Sequence, residues 1–270
     1  MSQDIISVLN DEITKKCFKL KTKIWESNVL QRNVIELIWE EPSIKYAWET
    51  KQEEEWMQAL QLVQKKLAKL TPCLLTSRIN TANLTACRAL ENTGFHLIEC
   101  YLELEHNLKN IPSVKTEANI SPFIERELYQ LEKIALESFR YSRFHMDPEI
   151  SKPGADRSRA EWVKNACMGR AELVLVSHES DMPSGFVICM KSTINQSVIG
   201  KLDLIAVHPS YRRRTIGYYL TIAFLTHCKN QGYSSAHVGT QAHNIPSLRM
   251  YDKAGFVIKN SFYSYHKHIS

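Results

Sequence analysis

Apolar residues change their spacing several times along this chain, and each change marks an element. Between Phe95 and Glu105 they fall at Ile98, Cys100, Leu102 and Leu104, a period of two that predicts a strand with one face turned to a core. At Phe123, Leu128, Leu131, Ile134, Ala135 and Phe139 the apolar spacing suggests a helix. A second helix is predicted over 155–168, with Trp162, Val163 and Ala166 on one face, and then three strands over 171–176, 184–190 and 198–207. A helix from about Arg213 to Asn230 would carry Ile216, Leu220, Ala223, Phe224 and His227 and end at Gly232. A strand over 235–241 follows. A helix then opens near Pro246, whose fixed φ suits a first turn, and stops at Gly255 before the last strands, over 256–268. Strands alternating with helices predict an α/β chain built on a mixed sheet of α+β type.

The pattern also contains a copy of itself. Asn83–Phe95 overlays Asn244–Phe256 at a constant offset of 161 residues, matching Asn83 to Asn244, Arg88 to Arg249 and Gly94-Phe95 to Gly255-Phe256. Both copies read as short helix, glycine stop, strand. The polar stretch from Lys109 to Ala118, with Pro112 inside it, reads as a linker. Two domains are therefore expected, over 1–112 and 113–270. The copies differ in chemistry. Leu90 stands where the second copy has Tyr251, and the first copy's long helix, near Glu54–Leu70, begins with Glu53, Glu54 and Glu55 where the second has three arginines. An acidic helix start repels phosphate, so only the second half is expected to act on an anionic ligand.

Composition narrows the class. Apolar residues make up 44% and charged residues 23% of the 270, the balance of an ordinary globular chain. The net charge of +5 favours small anionic partners, and no dense basic stripe with interleaved aromatics suggests nucleic acid. Seven cysteines are scattered with no CxxC pair, so no metal site is expected and the thiols read as reduced, in a cytoplasmic setting. No charged and apolar leader pattern opens the chain, and no apolar run reaches the roughly 18 residues of a membrane span.

The strongest chemical signal is Leu204-Ile-Ala-Val-His-Pro-Ser-Tyr-Arg-Arg-Arg-Thr-Ile-Gly-Tyr-Tyr-Leu220: an apolar strand, a proline turn, a basic loop and a helix start. A helix N-terminus offers unpaired backbone N–H groups and the positive end of its dipole, which together suit a pyrophosphate. Arg212, Arg213 and Arg214 add positive charge, and Gly217 allows close approach.

These residues resemble the GNAT superfamily of N-acetyltransferases, whose Arg/Gln-x-x-Gly-x-Gly/Ala loop follows a strand ending in Val-x-Pro. Here Val207-His-Pro209 is followed by Arg212–Gly217, with Thr215 in place of the middle glycine. The resemblance covers the second half of the chain. It implies a GNAT fold there, a degenerate partial GNAT-like domain before it, and acetyl-CoA as co-substrate. It also implies that Leu204, Ile205, Ala206 and Val207 splay from the next strand to admit pantetheine. Arg212, Arg213, Arg214, Thr215, Ile216 and Gly217 would then receive the pyrophosphate, and Asn244 would contact the pantetheine arm, as helix cap, or as both.

Acetyl transfer needs a neutral amine, a polarised thioester carbonyl and a proton for the departing thiolate. Tyr251 is the expected general acid, because a phenol stays protonated at neutral pH. A backbone N–H near Ile205 or Ala206 is expected to polarise the carbonyl. Asp203 is the candidate base, with His208 beside it; alternation puts Asp203 on the face of Ile205 and Val207. Upstream, Glu137–Pro148 packs two arginines, a histidine, an aspartate and three aromatics into a short stretch. With Glu161-Trp-Val-Lys-Asn-Ala166 it resembles the dTDP-fucosamine acetyltransferases, which implies a dTDP-linked amino-dideoxy sugar as acceptor with Arg143, His145 and Asp147 lining its site. Other amines (a protein N-terminus, a polyamine or an antibiotic) and a non-catalytic acetyl-CoA-binding role stay open, as does a homodimer.

Overall fold

The computed structural model describes Ile6 and residues 18–39, 50–113 and 119–270. Cys17 and the last part of the expected linker, 114–118, lie outside them. The chain divides into two compact units, one made of Met1–Tyr101, Met146–Ser151 and Ser261–Ser270, the other of Leu102–His145 and Lys152–Asn260. This division is not the linear one at 112/113, because two strands each contribute to both units.

In the first unit, β1 (Phe18–Thr22) alternates buried Phe18 and Leu20 with Lys19 and Lys21. It pairs antiparallel with β2 (Asn33–Trp39) after the short α1 (Ile24–Leu30). Next, α2 (Thr50–Leu67) buries Trp56, Leu60, Val63 and Leu67, spaced three and four apart. It begins earlier than the acidic run suggests. Glu53 lies in the first turn, is buried, and accepts a 2.8 Å bond from Asn92 Nδ2. β3 (Cys73–Asn80) runs parallel to β2, α3 (Leu84–Asn92) packs on α2, and β4 (His96–His106) follows Gly94 at φ 80°. The strand order is β1-β2-β3, then residues 261–269 of the chain's last strand, then β4.

In the second unit, β5 (Asn119–Pro122), α4 (Leu128–Ser138) and α5 (Lys152–Asn165) precede the antiparallel run of β6 (Leu173–Glu179), β7 (Met182–Ile194) and β8 (Ser197–Val207). Then come α6 (Ile216–Asn230), β9 (Ser235–Gln241), α7 (Ile245–Lys253) and β10 (Val257–Ile269). β9 pairs parallel to β8, giving the order β4-β9-β8-β7-β6-β5. Each sheet face carries its own core. Leu131, Ile134 and Val163 of α4 and α5 pack on Val176, Phe186 and Leu204. Leu220, Phe224 and Leu225 of α6 pack with Tyr251 of α7 on Val187, Leu202 and Val238. α6 lies tight on β8: a Cβ on Gly200 would come within 2.2 Å of Cys228 Sγ.

Most elements fall near where spacing put them; two further differences lie in the second half of the chain. β10 is one strand, not several. α6 begins at Ile216, three residues later than expected, because Arg213 (φ 65°) and Thr215 (φ 61°) take the left-handed conformation and helical backbone cannot start before them. The repeat holds in the backbone: α3 and α7 share both ends at the 161-residue offset, and each is followed by a glycine at positive φ, Gly94 and Gly255.

Candidate active site

β8 and β9 pair only from Ile199–Ser235 to Leu202–Val238. Beyond that point β8 keeps its antiparallel partner β7, with Ile205 opposite Val187 and Ala206 opposite Phe186, but has no partner on its other edge. The strands therefore diverge, and the backbone groups of 203–207 on that edge face a cleft. One cause is local. The β7–β8 register slips between Ile188 and Cys189, so Asp203 has no cross-strand partner, which is a β-bulge. The bulge also corrects the expected facing of Asp203. Ile205 and Val207 pack toward the α6 core, but the Asp203 carboxylate accepts bonds from Trp162 Nε1 (2.6 Å) and Arg170 Nη2 (2.8 Å) on the α5 side. Simple alternation fails at a bulge because the extra residue repeats one face.

The basic loop closes the end of the cleft. Thr215 makes no side-chain cap; its hydroxyl donates to Arg214 O at 2.6 Å, so the first N–H groups of α6 receive nothing from it. Left-handed residues at 213 and 215 before a helix form the kind of backbone concavity that accepts anions. Gly217 serves packing, since a Cβ there would sit 3.0 Å from Met250 Sδ. The three arginines do different things. Arg212 donates from Nε to Val207 O (3.2 Å) and from Nη2 to Ser138 O (3.0 Å), tying the end of α4 to the end of β8. Partial burial and the nearby Arg140 guanidinium lower its pKa. Arg214 lies over the Tyr211 ring, 5.5 Å from the centroid, and Arg213 is exposed at the loop tip. His208 contacts Glu137 Oε2 at 3.4 Å and accepts from the Ser210 backbone N–H.

On the far wall, Asn244 occupies the cap position of α7 without capping it. Its amide donates to Thr240 Oγ1 of β9 at 3.1 Å. Its counterpart Asn83 does cap, accepting from Ala86 N at 3.1 Å. Tyr251 is buried, with its ring 5.6 Å from Phe256 in an edge-on contact. In the first unit, Trp39 at the end of β2 donates from Nε1 to Ser77 Oγ of β3 at 2.8 Å and packs edge-on against Trp56 at 4.9 Å.

The three expected acceptor residues have different partners. Arg143 lies over the Phe144 ring, at 4.6 Å. His145 belongs to the second unit and bonds Ser142 Oγ (2.5 Å) and Asp156 Oδ1 (3.0 Å). Asp147 belongs to the first unit, where its Oδ2 meets His266 Nδ1 (2.6 Å) and His268 Nε2 (2.8 Å). Burial alone would raise the Asp147 carboxyl, but the bonds from the two histidines outweigh it and hold its pKa well below the usual range. Two histidines and a carboxylate with their ligand atoms within 4.8 Å have the makings of a metal site. The hydrogen bonding argues otherwise. Arg32 Nη1 lies 2.9 Å from His268 Nδ1, and a guanidinium only donates, so the His268 proton sits on Nε2 and is given to Asp147. The lone pair that a metal would take is not on offer.

Diverging parallel strands with an uncapped helix start behind one of them are the geometry found in this unit. The profile of the acetyltransferase (GNAT) family matches residues 128–256. Over 134 residues the chain is 31% identical to the spore coat polysaccharide biosynthesis protein SpsD of Bacillus subtilis (strain 168), a match covering 50% of this chain and 45% of SpsD, so it spans less than half of that relative. Among solved structures, a GCN5-related N-acetyltransferase from Sphaerobacter thermophilus superposes with TM-score 0.59 at 15% identity, over 93% of this chain and 76% of its own. A tandem GNAT protein from the clavulanic acid biosynthesis pathway superposes with TM-score 0.57 at 12% identity, over 99% and 88%. At these identities the likeness is one of fold. Among the described residues no helix is long and apolar enough to cross a membrane.

Proposed function

We propose that this protein moves an acetyl group from acetyl-CoA to a primary amine of a sugar nucleotide, most simply a dTDP-linked amino-dideoxy sugar. The observation that carries the reading is the end of β8–β9 pairing after Leu202–Val238, which leaves that edge of β8 without a strand partner beside the start of α6. In this reading the backbone of Leu204–Val207 and the Asn244 amide hold the pantetheine arm. The N–H groups from Arg213 to Gly217 hold the pyrophosphate. Arg212 shapes that end of the cleft through its bonds to Val207 and Ser138. Bound acetyl-CoA supplies the thioester. A backbone N–H of Ile205 or Ala206 polarises the carbonyl, and Tyr251 gives its proton to the sulfur as it departs. Asp203, already bonded to Trp162 and Arg170, fixes the bulge that turns this backbone toward the cleft, and this replaces its expected role as base.

The sugar acceptor rests on the density of Arg, His and Asp over 137–148 and on SpsD, which is named for polysaccharide biosynthesis. Arg143 is the proposed contact to the nucleotide phosphates. The test is thiol release from acetyl-CoA with dTDP-4-amino-4,6-dideoxygalactose, run beside spermidine, an unblocked peptide and an aminoglycoside. Release with the sugar nucleotide alone supports the reading; release only with another amine replaces the acceptor class. Tyr251→Phe should lower kcat with little change in acetyl-CoA affinity. If that variant keeps full turnover, Tyr251 is not the acid.

A further inference from the structure

The transfer described above needs a place for the proton of the amine, which is largely an ammonium at neutral pH. The two acid–base candidates on β8 are engaged elsewhere: Asp203 is held by Trp162 and Arg170, and His208 sits beyond the strand end against Glu137. A better-built acceptor lies in the segment that spans the mouth of the cleft. Ser138 Oγ donates to Val207 O, at the end of β8 (3.3 Å), and the Tyr141 ring meets the His243 ring, beyond the end of β9, edge-on at 5.5 Å. Residues 138–141 thus run from one diverging strand to the other, and Ser142 comes next.

From the Asp156 carboxylate, which only accepts, the protons of the following groups can be assigned. His145 Nε2 lies 3.0 Å from Asp156 Oδ1, so Nε2 carries the ring proton and Nδ1 carries the lone pair. The Ser142 hydroxyl, 2.5 Å from Nδ1, is then the donor. Burial lowers the His145 pKa; Asp156 partly offsets this, while Arg159 and Lys152 reinforce it. Both the burial and the Ser142 hydroxyl on Nδ1 favour the neutral ring. Lys152 Nζ holds the other Asp156 oxygen at 2.5 Å. Ser142 and the His145 side chain are almost wholly buried, so water does not compete for these bonds. A hydroxyl, a neutral imidazole of fixed tautomer and a carboxylate in series form a proton relay.

We propose that Ser142, His145 and Asp156 take the proton released by the acceptor amine, a role that rests on the acetyltransferase reading. The ammonium gives one proton to Ser142 Oγ while the serine gives its own to His145 Nδ1. The imidazolium formed keeps its Nε2–H on Asp156 and is stabilised by that charge. The neutral amine then forms the C–N bond, the C–S bond breaks, and the second amine proton leaves with the thiolate through Tyr251. His145 returns its proton through Ser142 to solvent entering the vacated acceptor site after product release. Ser142 forms no bond to the acetyl group. His145 and Asp156 act through Ser142 and are positioning residues.

The test uses the full chain, acetyl-CoA and dTDP-4-amino-4,6-dideoxygalactose, comparing wild type with His145→Gln and with the less intrusive Ser142→Ala. Acetyl-CoA affinity by calorimetry should be unchanged in both. At pH 7, kcat should fall about 100-fold or more, in the range of general-base effects. The loss should shrink as pH rises and the amine deprotonates unaided. A loss equal at every pH, a matching loss of acetyl-CoA affinity, or wild-type rates in both variants would each overturn the relay. Wild type that binds acetyl-CoA but releases no thiol with this sugar overturns the acceptor reading, and the relay with it.

Discussion

Two asparagines at the same place in the repeat should respond oppositely to the same substitution. Asn83 and Asn244 each precede a nine-residue helix, α3 and α7. Asn83 caps its helix, accepting from Ala86 N, whereas Asn244 turns its amide to Thr240 and leaves its helix uncapped. Asn83→Ala therefore removes a cap, a loss of about 1 kcal/mol, or roughly 2–4 °C in Tm for a chain of this size. It should leave acetyl-CoA binding untouched. Asn244→Ala removes only a partly buried side-chain bond, about 0.5 kcal/mol at most, so Tm should barely move. If Asn244 contacts the pantetheine arm, acetyl-CoA affinity should drop about 3- to 10-fold, the worth of one neutral hydrogen bond. Thermal unfolding and calorimetric titration of both variants decide it. The reasoning is refuted if Asn244→Ala lowers Tm as much as Asn83→Ala and leaves affinity unchanged.

Three further outcomes follow from the same geometry. Thr215→Gly relieves a β-branched residue held at φ 61°; the left-handed cost of about 1–2 kcal/mol exceeds the entropy that glycine loses, so Tm should rise by about 2 °C, and a fall would contradict the assignment. Gly200→Ala drives a methyl to within 2.2 Å of Cys228 Sγ. It should cost about 1–3 kcal/mol, with part of the loss recovered by adding Cys228→Ala, and unchanged stability would refute the close approach. Asp147→Asn should cost about 2–3 kcal/mol at pH 7, since each histidine N–H loses a charged acceptor. The folded carboxyl is held below its usual pKa, so its stabilisation is complete above about pH 4 and is lost as pH falls further. Urea unfolding should therefore show wild type and variant converging in acid; a gap that persists there would contradict the ion pairing.

The elements were legible because their periods were clean: β9 spans the expected 235–241, and the helix–glycine–strand copies share their boundaries. What escaped depends on partners far away in the chain. The bulge at Asp203 is set by register against Cys189, which no alternation within β8 contains. Arg212 read as a phosphate ligand from its neighbours, yet it bonds Ser138, 74 residues upstream. Ser142 and Asp156 were missed because neither belongs to a spacing pattern. The one visible signal was the cluster of Arg, His and Asp after α4, which marked the region but not its pairing. Likewise the Trp39–Ser77 bond across β2 and β3 was not visible in the sequence, while the acidic run that suggested the loss of cofactor binding lies inside α2.

The central claim is that a single cofactor site lies where β8 and β9 part. Calorimetric titration of the full chain with CoA tests it most directly. One CoA bound per chain is expected, because in the first unit the Trp39 side chain bonds across from the end of β2 to Ser77 of β3. Absence of binding at millimolar CoA, or two equivalents per chain, would contradict it.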